Sequence, residues 1–123
     1  MIEQFAISHE MMWGITACVV MMLLDIVTGF VAAWMANTIQ SVKMREGLFH
    51  KSSLIFIIIT AYLCELFVLH VPNLGYNVPL VIPACVIIFL MEVVSILENI
   101  VKINPELKDS KLIHLFDEGV NNG

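Results

Sequence analysis

The feature that most constrains this chain is a set of three apolar runs, each long enough to cross a bilayer as a helix. A membrane-spanning helix needs about 20 mostly apolar residues, and residues 12–36, 53–71 and 78–97 meet that requirement. Over the whole sequence 59% of residues are hydrophobic and 14% are charged, against about 45–50% and about 25% in soluble domains. The sequence therefore predicts an all-α integral membrane protein with three transmembrane helices.

The lysine and arginine positions predict how these helices are oriented. All basic residues lie in the segment 37–52 or in the tail 98–123, whereas residues 1–11 and 72–77 contain none. Because positively charged loops stay on the cytoplasmic side, we expect segment 37–52 to be a cytoplasmic loop and the tail to be cytoplasmic. We expect the N-terminus and the short 72–77 hairpin to be outside. The residues expected to anchor the chain at the inner surface are Lys43, Arg45, Lys51 and Lys102.

The cytoplasmic tail carries a helix start signal. Asn104 is a suitable N-cap, and Pro105 is suited to the first helical position. Apolar residues then gather on one side of the following turns, which predicts a short amphipathic C-terminal helix on the inner membrane surface or against a neighbouring helix. These apolar residues are Leu112, Ile113, Leu115 and Phe116.

Each predicted span contains one intramembrane acid: Asp25, Glu65 and Glu92, at three different depths. The apolar runs contain no lysine or arginine, so we expect no basic side chain to neutralise these acids. They can be neutral and hydrogen-bonded within a helix bundle, because desolvation disfavours the charged form. Alternatively, they can line an aqueous path as charged groups. A third possibility is that they are covered in small assemblies and hydrated in large ones.

Small and polar residues lie on one side of the first predicted helix, around Asp25. Small side chains let helix backbones approach closely in lipid, where packing and hydrogen bonds drive association. We therefore expect this side to be a helix-contact face, including contact with a second copy of the chain. Its residues, or residues flanking it, are Gly14, Cys18, Thr28, Gly29, Ala32, Ala33 and Ala36.

Several function classes have no support in the sequence. It contains no Ser-His-Asp arrangement, no glycine-rich phosphate loop and no CxxC pair, and its histidines and cysteines show no metal-ligand spacing. The net charge of −5 leaves no basic stripe for nucleic acid. We expect neither enzymatic activity nor a cofactor, a metal or nucleic-acid binding.

Two segments resemble one known family. DIVTG at 25–29 resembles the D-x-x-T-G element in the first span of the bacteriophage holin family, which also includes toxin-secretion holins. EVVSILEN at 92–99 resembles that family's region at the end of the last span. The segment IVKINPEL keeps Pro105 but lacks the glycine that the family usually has there. The resemblance covers most of residues 12–107, and further matching positions are Ser41, Gly47, Lys51, Glu98 and Asn99.

This resemblance implies a holin that accumulates in the cytoplasmic (inner) membrane of a bacterial host. Such a protein oligomerises with itself in the lipid bilayer and opens lesions that release an endolysin or a toxin, without requiring direct contact with either. Two alternatives remain open from the residues alone. One is a small ion-channel or proton-relay transporter subunit that uses the same acids, and the other is a membrane scaffold subunit that forms no pore.

Overall fold

The chain folds into three long helices. The computed structural model describes residues 7–71 and 79–109, which contain no β-strand. Each long helix is long and apolar enough to cross a membrane, so the prediction of an all-α chain with three such helices is confirmed. The inside–outside orientation stays a prediction. The helices are α1 (His9–Met35), α2 (Ser41–His70) and α3 (Val81–Ile103), and a short 3-10 helix follows at Pro105–Asp109.

Helices α1 and α3 run parallel, with α2 antiparallel to both. The sulfur of Cys18 lies against the backbone of Cys85, and further along both helices Asp25 lies against Ser95. Helix α1 packs most extensively on α3, whereas α2 makes a smaller interface with α3 and a smaller one still with α1. The core of the fold is therefore an α1–α3 pair to which α2 is added.

Both ends of α1 are capped by local sequence. The side chain of Ser8 accepts a hydrogen bond from the backbone N–H of Met11 at 3.1 Å, as an N-cap residue does. At the other end Asn37 has a positive φ of 54°. Its N–H donates to the carbonyl of Trp34, while the N–H of Thr38 donates to that of Ala33. These two bonds form a Schellman motif, which ends α1 and reverses the chain into α2.

Much of the segment predicted as a cytoplasmic loop, 37–52, is helical in the structure. Helix α2 begins at Ser41, so Lys43, Arg45 and Lys51 all lie on it. Its 30 residues correspond to about 45 Å, which exceeds the hydrocarbon thickness of about 30 Å. The polar composition of the segment indicated exposure to water, and it did not distinguish an extended helix end from a loop.

Buried apolar side chains from all three helices form one small core. Most other large apolar side chains point outward, including Trp13, Phe56 and Ile87, which are more than half exposed. An apolar exterior of this extent marks a surface that contacts lipid. The core residues are Cys18 and Met22 from α1, Leu54 and Ile58 from α2, and Val81, Cys85 and Ile88 from α3.

Two of the sequence predictions fall outside the described residues. The 72–77 hairpin is one, and the apolar side of the predicted C-terminal amphipathic helix at 112–116 is the other. In the described part of the tail, residues 98–103 continue α3 to its end at Ile103, and Pro105–Asp109 form the 3-10 helix.

Gly14 provides a test of the α1–α3 contact. A Cβ atom built on Gly14 would already be in van der Waals contact with Cys85, at 3.4 Å from its Cβ, so the further atoms of the branched side chain in Gly14→Leu crowd α3. We expect this variant to lose about 1–3 kcal/mol of unfolding free energy, as overpacked sites do. The measurement is unfolding in detergent micelles followed by circular dichroism.

Gly47→Leu is the matched control. Gly47 has nothing within 4 Å of the corresponding Cβ position. Since leucine has a higher helix propensity than glycine, this variant is expected to be neutral or to gain up to about 1 kcal/mol. Equal destabilisation by the two substitutions would contradict the close approach of α1 and α3.

Candidate functional site: a buried ion cluster

Lys51 lies between two carboxylates inside the helix bundle. Its Nζ donates to Oδ2 of Asp25 at 2.7 Å and to Oε2 of Glu92 at 2.8 Å. The side chains of Lys51, Asp25 and Glu92 are 11%, 11% and 3% exposed. We call these three residues the ion cluster. Since each comes from a different helix, the ion cluster joins α1, α2 and α3 at one point.

The expectation that no basic side chain neutralises the intramembrane acids is wrong for Asp25 and Glu92. Both bind the ammonium of Lys51, so these two acids also do not lie at different depths. Lys51 was predicted to anchor a loop at the inner surface. Because α2 already begins at Ser41, Lys51 is instead almost three helical turns inside α2, with its side chain directed at α1 and α3.

The distance of the ion cluster from the ends of the helices indicates its depth. Tryptophan and lysine side chains, such as those of Trp34, Lys43 and Lys102, prefer the membrane–water interface. They lie eight to ten residues along their helices from Asp25, Lys51 and Glu92, respectively, which corresponds to about 12–15 Å. The exposed charged residues Arg45, Glu46 and Glu98 lie nearer, five or six residues from Lys51 or Glu92, which corresponds to about 8–9 Å. The ion cluster therefore lies within the long helices, toward the end of the bundle that carries the basic residues.

The second oxygen of the Asp25 carboxylate is also occupied. Its Oδ1 accepts from the hydroxyl of Ser95 at 2.7 Å and from the amide nitrogen of Asn99 at 2.9 Å. The same amide nitrogen lies 3.1 Å from Oγ1 of Thr28 and 3.3 Å from the backbone carbonyl oxygen of Asp25. Asp25 therefore has donors from both α2 and α3.

Thr28 and Gly29 shape the place where Asn99 meets α1. The hydroxyl of Thr28 donates to the backbone carbonyl of Leu24 at 2.9 Å or of Asp25 at 3.1 Å, which leaves its oxygen free to accept from Asn99. A Cβ atom on Gly29 would lie 3.4 Å from the Asn99 amide nitrogen. Such a Cβ atom would only touch the amide, so Gly29 presents a small surface beside Asn99.

The two segments that resemble the holin family are therefore halves of one contact. Asp25, Thr28 and Gly29, from segment 25–29, all lie against Asn99 at the end of segment 92–99. The sequence contained a signal for this pairing, since Glu92, Ser95 and Asn99 follow one another at i, i+3 and i+7 on one side of a helix. What the sequence did not show was that Lys51 joins them.

Glu65 has a different role from the other two acids. Its Oε1 accepts from the backbone N–H of Val81 at 2.8 Å and from that of Leu80. Leu80, at the N-cap position of α3, offers no capping side chain of its own. A carboxylate satisfies the free N–H groups at a helix N-terminus and interacts favourably with the helix dipole. Glu65 therefore fixes the C-terminal part of α2 to the start of α3.

The predicted small-residue face of α1 contacts α3 of the same chain along part of its length. Gly14 lies against Cys85, and the thiol of Cys18 donates to the Cys85 carbonyl at 3.1 Å. Ala32 is buried and Ala33 is half-buried. The predicted anchor, family-motif and packing residues that are exposed are Ala36, Ser41, Lys43, Arg45, Gly47, Glu98 and Lys102.

The arrangement holds charge between three helices. Within the described ranges, no three histidine, cysteine, aspartate or glutamate side chains are placed to hold a metal ion. In the same ranges, every buried side-chain nitrogen and oxygen has a hydrogen-bond partner. The ion cluster is thus a set of charged groups in which each buried nitrogen and oxygen has at least one hydrogen-bond partner.

A model of the bacteriophage holin family matches residues 6–117, a range that includes the ion cluster and every predicted site residue. The chain belongs to the bacteriophage holin family. Comparisons with curated proteins and with solved structures give no match. Family membership and the three long apolar helices make this holin a multi-pass membrane protein. They also place it in a family of lesion-forming membrane proteins and not in an enzyme family.

The stability of this holin is expected to depend on Lys51. Lys51→Met keeps the length of the side chain but leaves Asp25 and Glu92 without their cation. Breaking a buried ion pair by removing one partner costs about 3–5 kcal/mol, and we expect a loss of that size in the unfolding free energy measured in detergent. Adding Asp25→Asn and Glu92→Gln to Lys51→Met should recover much of the loss, because no charge is then left unpaired.

Lys108→Met is the control, since Lys108 is exposed on the 3-10 helix. A substitution at such a surface position is expected to change stability by less than about 0.5 kcal/mol. If Lys51→Met behaves like Lys108→Met, the ion cluster does not form in the folded protein.

Proposed function

We propose that this holin oligomerises in the bacterial cytoplasmic membrane and opens lesions through which an endolysin reaches the cell wall or a toxin leaves the cell. The observation that carries the proposal is the ion cluster, which holds three charged side chains between helices long and apolar enough to cross a membrane. Family membership supports the same activity. The released protein needs no direct contact with the holin.

The polar groups available to line a lesion come from two adjacent helices. Asp25, Thr28, Glu92, Ser95 and Asn99 lie together on α1 and α3, and we call this set the polar face. In one chain these groups bond to each other and to Lys51. Around a water-filled lumen, the same groups are hydrated, which removes the cost of charge at membrane depth. The polar face thus suits both a closed and an open state.

The proposed orientation has an outside N-terminus and a cytoplasmic C-terminus. Lys43 and Arg45 lie exposed near the start of α2, and Lys102 lies exposed near the end of α3. Since α2 is antiparallel to α3, these three residues share one end of the bundle. Basic residues at this end can bind anionic lipid headgroups of the cytoplasmic leaflet, which supports their proposed role as an anchor.

The structure also supports two alternative functions. A carboxylate–ammonium–carboxylate cluster at membrane depth is the type of group that proton or cation relays use, which favours a small channel or transporter subunit. The completeness of its hydrogen bonding favours a scaffold subunit in which the acids only hold helices together. A channel passes ions but retains proteins, and a scaffold causes no permeability.

Inducible expression in a bacterium separates the three functions. A holin is expected to cause abrupt lysis when a cytoplasmic muralytic enzyme is co-expressed, and to stop growth without lysis when it is absent. The measurement is culture turbidity together with release of the enzyme into the medium. Ion leakage with retention of the enzyme would instead identify a channel, and unchanged growth would identify a scaffold.

Asp25→Leu tests the polar face within this assay. The variant is expected to insert into the membrane but to delay or abolish lysis, because the α1 side of the polar face becomes lipophilic. Glu46→Leu makes the same acid-to-leucine change at an exposed position of α2 and should leave the time of lysis unchanged. Normal lysis timing with Asp25→Leu would exclude Asp25 from the lesion wall.

A further inference from the structure

Helix α2 contacts the rest of the bundle through one narrow side that has a charge near each end. Lys51 and Glu65 form the two charged contacts, and Leu54 and Ile58 between them are the buried apolar residues of α2. The spacing 51, 54, 58 and 65 keeps all four on one side of a helix. Most other side chains of α2 are exposed, so the attachment of α2 is limited to this side.

The α1–α3 pair has its own contacts that do not involve α2. Asn99 bonds to Asp25 and Thr28, Ser95 bonds to Asp25, and the thiol of Cys18 bonds to the backbone of Cys85. Asn99 also packs against Gly29. Helix α2 can therefore move away from the polar face while α1 and α3 stay together.

Moving α2 changes the environment of two carboxylates. With Lys51 in place, Asp25 and Glu92 are almost completely covered. Without it they are unpaired, which is unfavourable in lipid but acceptable where water reaches them. Loss of the contact with Lys51 therefore costs much free energy in an isolated chain. It costs less beside a water-filled lumen, where water solvates the two carboxylates.

The connections of α2 allow motion at one end more than at the other. Its Glu65 end is fixed to the N-terminus of α3 by two backbone N–H groups. Its Lys51 end follows the five non-helical residues Ala36–Gln40, of which Ile39 and Gln40 lie beyond the Schellman motif that ends α1. A pivot about the Glu65 end withdraws Lys51 and leaves the capping contact in place.

We propose that α2 is a removable cover of the polar face, and that Lys51 is the contact which holds it there until the lesion forms. The proposal rests on the proposed function, because it makes the uncovered polar face the part of the chain that lines the lesion. In this proposal, the contact made by Lys51 determines when the polar face becomes accessible to water. The residues that become accessible are Asp25, Glu92, Ser95 and Asn99.

Accessibility of position 95 to water tests the proposal without any need for lysis. Ser95→Cys is introduced into a chain whose Cys18, Cys64 and Cys85 are replaced by alanine, and the protein is reconstituted into lipid vesicles. A membrane-impermeant maleimide is then added on both sides of the membrane. With Lys51 present, we expect slow labelling at position 95. With Lys51→Met, we expect labelling to be several-fold faster, because the cover is released.

Two controls make the comparison specific. Lys108→Met removes an exposed lysine and should leave labelling at position 95 slow. A Ser41→Cys reporter at the exposed start of α2 should label at equal rates with Lys51 and with Lys51→Met. If Lys51→Met is not recovered in vesicles, Lys51→Gln replaces it, since its amide still donates to one carboxylate while the charge is lost. The same several-fold increase is then expected.

Equal labelling at position 95 with and without the lysine charge would overturn the proposal, even if the holin lyses cells. In the expression assay with a muralytic enzyme, the Lys51 variant is expected to lyse cells earlier than the parent. A chain that never causes lysis, yet shows faster labelling with Lys51→Met, would overturn the proposed function and leave the role of α2 as a cover intact. The two failures are therefore distinguishable.

Discussion

The contact of one ammonium group with two carboxylates is the interaction on which the rest of this structure depends. In lipid there is no water to solvate a charge, so an ionised side chain needs a partner of opposite sign or a set of hydrogen-bond donors. Lys51 is the partner of opposite charge for both Asp25 and Glu92. Ser95 and Asn99 are hydrogen-bond donors to Asp25. Because these groups come from three helices, satisfying the charges also determines how the helices are arranged.

The holin motif in α1 has a clear physical meaning in this arrangement. Asp25 provides the acceptor for the Asn99 amide, Thr28 provides a second oxygen, and a Cβ atom on Gly29 would only touch the amide, at 3.4 Å from its nitrogen. Charge and hydroxyl carry the contact, while Gly29 presents a small surface beside it. The motif is therefore the α1 half of a helix–helix contact, and in the proposed function the acid of this contact lines the lesion.

The sequence predicted the helices well and their polar contacts poorly. The apolar runs reveal three spans because their length alone meets the requirement of a bilayer, and the small residues around Asp25 indicate which side of α1 contacts another helix. The position of Lys51 was predicted wrongly because its segment is polar and basic. Such a composition is typical both of a loop and of the exposed end of a long helix. Glu65 acts as a cap on a different helix, and no local pattern in α2 or α3 reveals such a contact.

The order in which Asp25 meets its partners has a consequence for the assembly of the nascent chain. Lys51 follows Asp25 by 26 positions, whereas Ser95 and Asn99 follow it by 70 and 74. A ribosome thus delivers the neutralising cation with the second helix and the hydrogen-bond donors only with the third. Asp25 and Lys51 can enter the bilayer as a helical hairpin of opposite charges, so that Asp25 does not enter the hydrocarbon layer as an isolated carboxylate.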